Sequence, residues 1–378
     1  MRNYKTLNVG KSVIALAMTC ALMACGPNEK KQAAEPTLRA GIGQDFLIGV
    51  AVNSDQMNGT DSVGAALIAK QFTSIVPENC MKSALIHPEE NRYDWMDADA
   101  YVDFGTKHHM FVIGHCLIWH SQLASWFCVD DEGNNVSPEV LKQRMKKHIT
   151  TIMTRYKGRV NGWDVVNEAL LDNGEYRPSK FYEILGAEFI PYAFQCAHEA
   201  DPDAELYYND YSMHIPAKQQ GVLRIVKSIK DYGATITGIG MQSHCNMKSP
   251  SVAEVEEAIK TLSSTGCSLM VTEFDLSAIP FPKDLSGAGV EQAGQYSKIY
   301  NPYPTALPDS ISQLWEARMK GYFDVYRKHK DVIKRVTVWG LTDGASWRND
   351  WPVAGRTDYP TLFDRTYKAK TFTQTLMK

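Results

Sequence analysis

Short apolar, β-branched runs recur along most of this chain: Leu47–Val52, Phe72–Val76, Phe111–Gly114, Val160–Val166, Glu205–Asn209, Gly238–Gln242, Leu269–Thr272 and Val336–Leu341. Each reads as a strand covered on both faces. Between them the spacing becomes that of a helix with one apolar stripe. Examples are Val140, Leu141, Met145, His148, Ile149, Ile152 and Met153, and then Leu223, Val226 and Ile229. Strands that alternate with helices must pair in parallel, because each crossover lays a helix back on the sheet. Eight such units predict a single α/β domain built as a (β/α)8 TIM barrel. A doubly wound sheet is the alternative, but no glycine-rich phosphate loop comes after the first run.

The residues at the end of each run are more informative than the run itself. The second ends in Glu78-Asn79 and the third in His115, with Trp119 and His120 beyond it. The fourth ends in Asn167-Glu168, the fifth in Asn209-Asp210, the sixth in Gln242-Ser243-His244 and the seventh in Glu273-Phe274-Asp275. The eighth carries Trp339 and leads to Trp347. In a barrel these ends converge on one face, where active sites are built. Residues that merely opened loops would be Asp, Asn, Ser and Gly rather than Trp, His and Glu.

Composition narrows the function classes. With 43 acidic and 40 basic side chains the balance is −3, and no basic run is present. That excludes the positive footprint a nucleic-acid binder needs. Arg2, Lys5 and Lys11 precede the apolar run Val13–Ala24, so residues 1–25 are expected to be an export signal. Leu22-Met23-Ala24-Cys25-Gly26 resembles a bacterial lipobox, with Cys25 lipidated; ordinary signal cleavage beside a chance cysteine is the competing reading. Residues 26–40 are polar and aperiodic, as a tether would be, and the catalytic domain is expected over 41–378. The expected localisation is a membrane-anchored lipoprotein of a bacterial periplasm or cell surface, held only by its lipid. Losing the signal leaves 37 basic against 43 acidic residues, or −6. Cys80, Cys116, Cys128, Cys196, Cys245 and Cys267 are scattered, with no CxxC pair, so no zinc site is expected and their pairing is unreadable.

Glu168 and Glu273 are the candidates for chemistry. The fourth and seventh strands are expected to face each other, so that these carboxylates meet. Two carboxylates about 5–5.5 Å apart suit a retaining glycosidase, and a wider gap suits inversion through a water. The spacing along the chain does not fix that gap.

The motifs Trp163-Asp164-Val165-Val166-Asn167-Glu168-Ala169 and Thr272-Glu273-Phe274-Asp275 resemble the acid/base and nucleophile signatures of glycoside hydrolase family 10, the retaining endo-β-1,4-xylanases. Glu78-Asn79-Cys80-Met81-Lys82, Gly114-His115-Cys116-Leu117-Ile118-Trp119-His120, Tyr208-Asn209-Asp210-Tyr211, Gln242-Ser243-His244 and Trp339 through Trp347 are similar to that family in the same order, from about residue 41 to 375. The resemblance implies xylan and xylo-oligosaccharides as substrates, no cofactor and no metal. A monomer is expected. It implies Glu168 as acid/base, Glu273 as nucleophile, His244 donating to Glu273, and Asp275 orienting His244. Asn167 would bind the sugar 2-hydroxyl, with Gln242 beside the nucleophile. Glu78, Asn79, Lys82 and His115 would bind glycone hydroxyls. Trp119, Trp339 and Trp347 would form the floor and wall, since flat indoles cover the C–H faces of pyranose rings. Gln122, with Trp347, would leave little room for a C6 hydroxymethyl group. Asn209 and Tyr211 would serve the aglycone side or support the site, and Trp163 would pack. The segment 276–311, rich in proline, is expected to be either a substrate wall or a surface insertion. Two other functions stay open: the same chemistry on β-1,4-glucan or a cellobioside, and a non-catalytic xylan-binding lipoprotein.

Overall fold

The structure is a computed structural model that describes residues 35–279, 301–351 and 355–378. The expected signal, Cys25, most of the expected tether and residues 280–300 of the long segment lie outside the described residues. Eight strands form the barrel: β1 (Leu47–Val52), β2 (Ser74–Pro77), β3 (Phe111–Trp119), β4 (Gly162–Asn167), β5 (Glu205–Asp210), β6 (Gly238–Met241), β7 (Ser268–Ser277) and β8 (Ile333–Val338). Each pairs in parallel with the next, and β1 pairs with β8 to close the ring. A further short strand, His244–Asn246, pairs with the upper end of β7.

The helices form for local reasons. Pro138–Tyr156 starts at Ser137, whose side chain accepts from Val140 N–H, and Pro138 occupies its first position. It buries Leu141, Met145, His148, Ile149, Ile152, Met153 and Tyr156 against the barrel. At roughly 1.5–3 kcal/mol for each large apolar side chain, that stripe outweighs the helix's modest propensity. Gly158, at φ 73°, turns the chain away just past its end. Val140 is exposed, so the stripe starts at Leu141.

Inside the barrel a second apolar cluster draws Ala51, Val76, Ile113, Tyr207, Met270 and Trp339 from six different strands or their ends. Glycine makes room for the large members: a Cβ on Gly114 would lie 2.0 Å from the Trp163 ring. Trp163 is buried and packs, as expected.

Several boundaries differ from expectation. Strands β3 and β7 each run five residues further, to Trp119 and Ser277, because the polar residues at their ends still pair with neighbouring strands. Strand β8 starts at Ile333 and stops at Val338, so Trp339 lies just beyond it. The compact unit begins at Pro36 rather than 41. Leu38 is fully buried and its N–H donates to Gln71 Oε1 at 2.9 Å, so the last tether residues are already packed. The six cysteines are unpaired, and all but Cys80 are buried.

Candidate active site

Strand register brings the polar ends level. Trp119 of β3 pairs with Asn167 of β4, and Asn167 with Asn209 of β5. Glu168 comes next at φ 57°, a left-handed turn uncommon for a residue with a side chain, which ends β4. On β7, Thr272 and Glu273 are consecutive yet both reach Asn209. A regular strand would point them to opposite faces. The register shift between Val271 and Phe274 makes this geometry available.

Strands β4 and β7 do not stand directly opposite, as expected from the sequence. They are separated by β5 and β6, and those two strands supply the bridge between the carboxylates. Asn209 Nδ2 donates to Glu273 Oε1 at 2.8 Å and to Asn167 Oδ1 at 2.9 Å. Thr272 Oγ1 donates to Asn209 Oδ1 at 2.6 Å and locks that amide's orientation. Gln242 Nε2 donates to Glu168 Oε1 at 2.9 Å, and Trp119 Nε1 to Glu168 Oε2 at 2.9 Å. Gln242 stands between the two carboxylates: its side chain donates to Glu168, its backbone carbonyl accepts from Glu273 N–H, and it lines the same cavity as Glu273. Asn167 Oδ1 accepts from Asn209 Nδ2 and, at 3.4 Å, from Gln242 Nε2.

The two carboxyls lean in opposite directions. Burial pushes Glu168 up from its ordinary value, helped by the negative charges of Asp210 and Glu273 and opposed by donation from Gln242 and Trp119. Burial also acts against an ionised Glu273. The His244 hydrogen bond, the charges on His115 and His244, and donation from Asn209 together outweigh it and hold Glu273 below its ordinary value. His244 bridges Glu273 Oε2 (3.2 Å, Nε2) and Asp275 Oδ2 (3.0 Å, Nδ1). Burial disfavours its charge, but Asp275 and Glu273 overcome that and raise it to about 9. One carboxyl biased toward its protonated form and one toward its ionised form on a common cleft is the division of labour that acid/base and nucleophilic roles require.

All ten residues expected on the substrate side line a cavity of about 700 Å³ with Glu168, Glu273 and His244. Lys82 Nζ donates to Gln122 Oε1 at 2.7 Å and Asn79 Oδ1 at 3.0 Å, and lies 4.9 Å from the Trp119 ring centroid. Burial pushes Glu78 up to about 7 against the charge of Lys82. His115 Nδ1 lies 2.8 Å from Asp164 Oδ2, and the His115 ring meets the edge of Trp339. A second cavity, about 810 Å³, shares His244 and Trp347 with the first and is lined by Tyr211, His214 and Trp351. Of the two less specific expectations, Tyr211 thus faces the second cavity. Asn209 is fully buried and acts through Glu273.

Sequence reasoning missed Arg348, which holds Asp275, and Trp351, which stacks on Trp347 at 5.0 Å. It also missed Lys218, which pairs with buried Asp210 at 2.7 Å behind Glu168. Arg348 had one available signal: it directly succeeds Trp347, so its side chain starts at the cleft.

Comparison with known proteins agrees with this geometry. Residues 37–378 match the profile of glycosyl hydrolase family 10. An endo-1,4-beta-xylanase A of Xylanibacter ruminicola is 48% identical over 344 residues, 91% of this chain and 93% of that protein. An endo-1,4-beta-xylanase of Geobacillus stearothermophilus is 37% identical, over 89% of this chain and 96% of that one. Among solved structures, an endoxylanase retrieved from a sugarcane soil metagenome superposes with a TM-score of 0.85 at 40% identity, covering 89% of this chain and 97% of its own. The eight-stranded barrel, the paired carboxylates and these matches agree: the chain belongs to glycosyl hydrolase family 10.

Proposed function

We propose that this enzyme hydrolyses internal β-1,4 bonds of xylan with retention, by double displacement. The observation that carries the reading is the opposite bias of Glu168 and Glu273 across the Asn209 and Gln242 bridges. Protonated Glu168 would donate to the glycosidic oxygen as that bond breaks. Ionised Glu273 would attack the anomeric carbon and form a glycosyl ester. Glu168, now ionised, would take a proton from water, which attacks the same carbon and releases Glu273. Asn167 Nδ2 would hold the 2-hydroxyl, a contact that strengthens in the transition state. Trp119 donates to Glu168 and, with Trp339 and Trp347, would cover the sugar faces.

Xylan rather than β-1,4-glucan is supported by Gln122 and Trp347, which share the first cavity and would crowd a C6 hydroxymethyl group. It is also supported by the xylanase names of the relatives. A non-catalytic binding role does not explain why the two carboxyls are biased in opposite directions. The test is reducing-sugar release from xylan and from carboxymethylcellulose, with a product profile. Mixed short oligosaccharides from xylan, and little from the cellulose derivative, are expected. Equal release from both, or equal release by wild type and Glu273→Ala, would overturn the reading.

The lipobox-like Leu22–Cys25 motif supports a lipid anchor on Cys25, a tether after it, and a membrane-attached, exported enzyme. Labelled fatty acid incorporated into wild type and absent from Cys25→Ala tests this. The enzyme is proposed to act as a monomer, which light scattering checks.

A further inference from the structure

We propose that Arg348 is a positioning residue for the nucleophile: it completes a buried relay, Glu273–His244–Asp275–Arg348, in which two anions and two cations balance. The proposal rests on the reading of Glu273 as nucleophile. Both His244 ring nitrogens face carboxylate oxygens, which only accept when ionised, so the ring is doubly protonated. Glu273, His244 and Asp275 alone would then carry one net negative charge in the core. Arg348 cancels it: its Nε lies 2.9 Å and a terminal nitrogen 2.7 Å from Asp275 Oδ1. Asp275 Oδ2 accepts from His244 and, at 2.8 Å, from Trp347 Nε1. Asp275 is therefore the junction between the nucleophile and the cleft wall, and Arg348 is its counter-ion. The guanidinium also lies 4.9 Å from the Trp347 ring centroid.

The charged and titratable groups around this relay come from every side. Toward Glu273 these are His115 from β3, Lys82 after β2 and Glu168 after β4. Asp358, Arg356 and Cys245 face Arg348. None of them touches Asp275 in the way Arg348 does. Burial would raise the Asp275 carboxyl, and the Arg348 charge is the largest influence that holds it down, to about 2. Interactions in such a buried site are weakly screened, so the loss of one cation should reach Glu273 through the relay.

The experiment compares Arg348→Gln, which keeps a donor without charge, and Arg348→Lys, which keeps the charge. The readout is kcat/KM against pH on aryl xylobioside, with a thermal melt of each protein. Removing a cation makes Glu273 harder to ionise, so the acidic limb should move up. A shift of about one pH unit is a tenfold loss on the acidic side and little on the plateau. The alkaline limb, set by Glu168, should stay, and Arg348→Lys should restore the profile. A uniform loss at all pH values with both limbs in place, or identical profiles for both variants, would overturn the proposal. If Arg348→Gln fails to fold, Arg348→Lys decides. A wild-type acidic limb supports the proposal, and a shifted one overturns it, because a charge-preserving change should leave Glu273 alone. If wild type turns over aryl cellobioside instead, the substrate reading fails, and the same pH comparison on that compound still judges Arg348.

Discussion

His244 lines the cleft and the pair His87–His148 sits between the helix Pro138–Tyr156 and β3, and burial acts against the charged ring in both places. His244 nevertheless rises to about 9, while His87 falls to about 4 and His148 to about 3. The difference is what each ring meets. His244 lies between two carboxylates. His87 and His148 approach each other at 2.9 Å through Nδ1, and their outer nitrogens face the carbonyls of Glu90 and Leu117. Tyr93, Trp126 and Phe127 enclose the pair. A carbonyl dipole does not compensate a buried charge as a carboxylate does, so the pair stays neutral. Two neutral rings carry two N–H protons for three contacts, so one contact goes unmade. The pair holds the loop after β2 to the helix Pro138–Tyr156 and to β3. Burial thus makes histidine a charged working part in one region and a structural tie in the other.

The largest effect comes from the group the charged histidine serves. Glu273→Ala should lower kcat/KM by on the order of 10⁴ to 10⁶, with the fold intact by thermal melt. A loss under tenfold would mean that Glu273 is not the nucleophile. His244→Gln keeps a donor to Glu273 but removes the charge. It should lower kcat/KM by roughly 10², and the acidic limb should move up as Glu273 becomes harder to ionise. His148→Gln should leave both limbs in place. If both variants moved the acidic limb, the two regions would not differ as argued.

Much of this was legible in the sequence. Eight apolar runs with polar ends specify a barrel and its working face, because burial on both faces forces parallel pairing. Glu168, Glu273, His244 and Asp275 could be grouped because residues at strand ends converge, while the roles expected of them rested on the family resemblance. The partners were harder to read. The Gln242 side chain donates to Glu168, and this depends on a side-chain direction that no spacing encodes. Thr272 and Glu273 reach the same amide through a register shift, which alternation would have forbidden. Arg348 lies 73 residues from the carboxylate it neutralises. The tie between His87 and His148 spans 61 residues, and each histidine alone reads as ordinary core or surface.

A smaller effect concerns stability. His148→Leu removes the ring that faces His87 Nδ1 and Leu117 O, and should cost about 2 kcal/mol, or roughly 3 °C in Tm for a domain of this size, without changing kcat/KM more than a few-fold. An effect of comparable size is its pH dependence. Unfolded histidines take up protons below about pH 6.5, whereas folded His87 and His148 resist until about 4 and 3. The pair's contribution is therefore present above pH 6.5 and lost as pH falls below it, by about 1.4 kcal/mol per pH unit for each proton. His244 has the opposite sign: its contribution is full below pH 6.5 and lost as pH rises through about 9. Glu78, raised to about 7, opposes the pair in the same acidic window, since it favours the folded state as pH falls. The measurement must therefore be a difference. Guanidinium unfolding of wild type and of His148→Leu between pH 8 and pH 5 should show their stability gap narrowing toward pH 5, because the variant has one fewer histidine to protonate on unfolding. The gap between wild type and His244→Gln should instead narrow from pH 7 to pH 9. A gap that stayed constant over the acidic window would show that the His87–His148 pair already carries a proton, and the contrast with His244 would collapse.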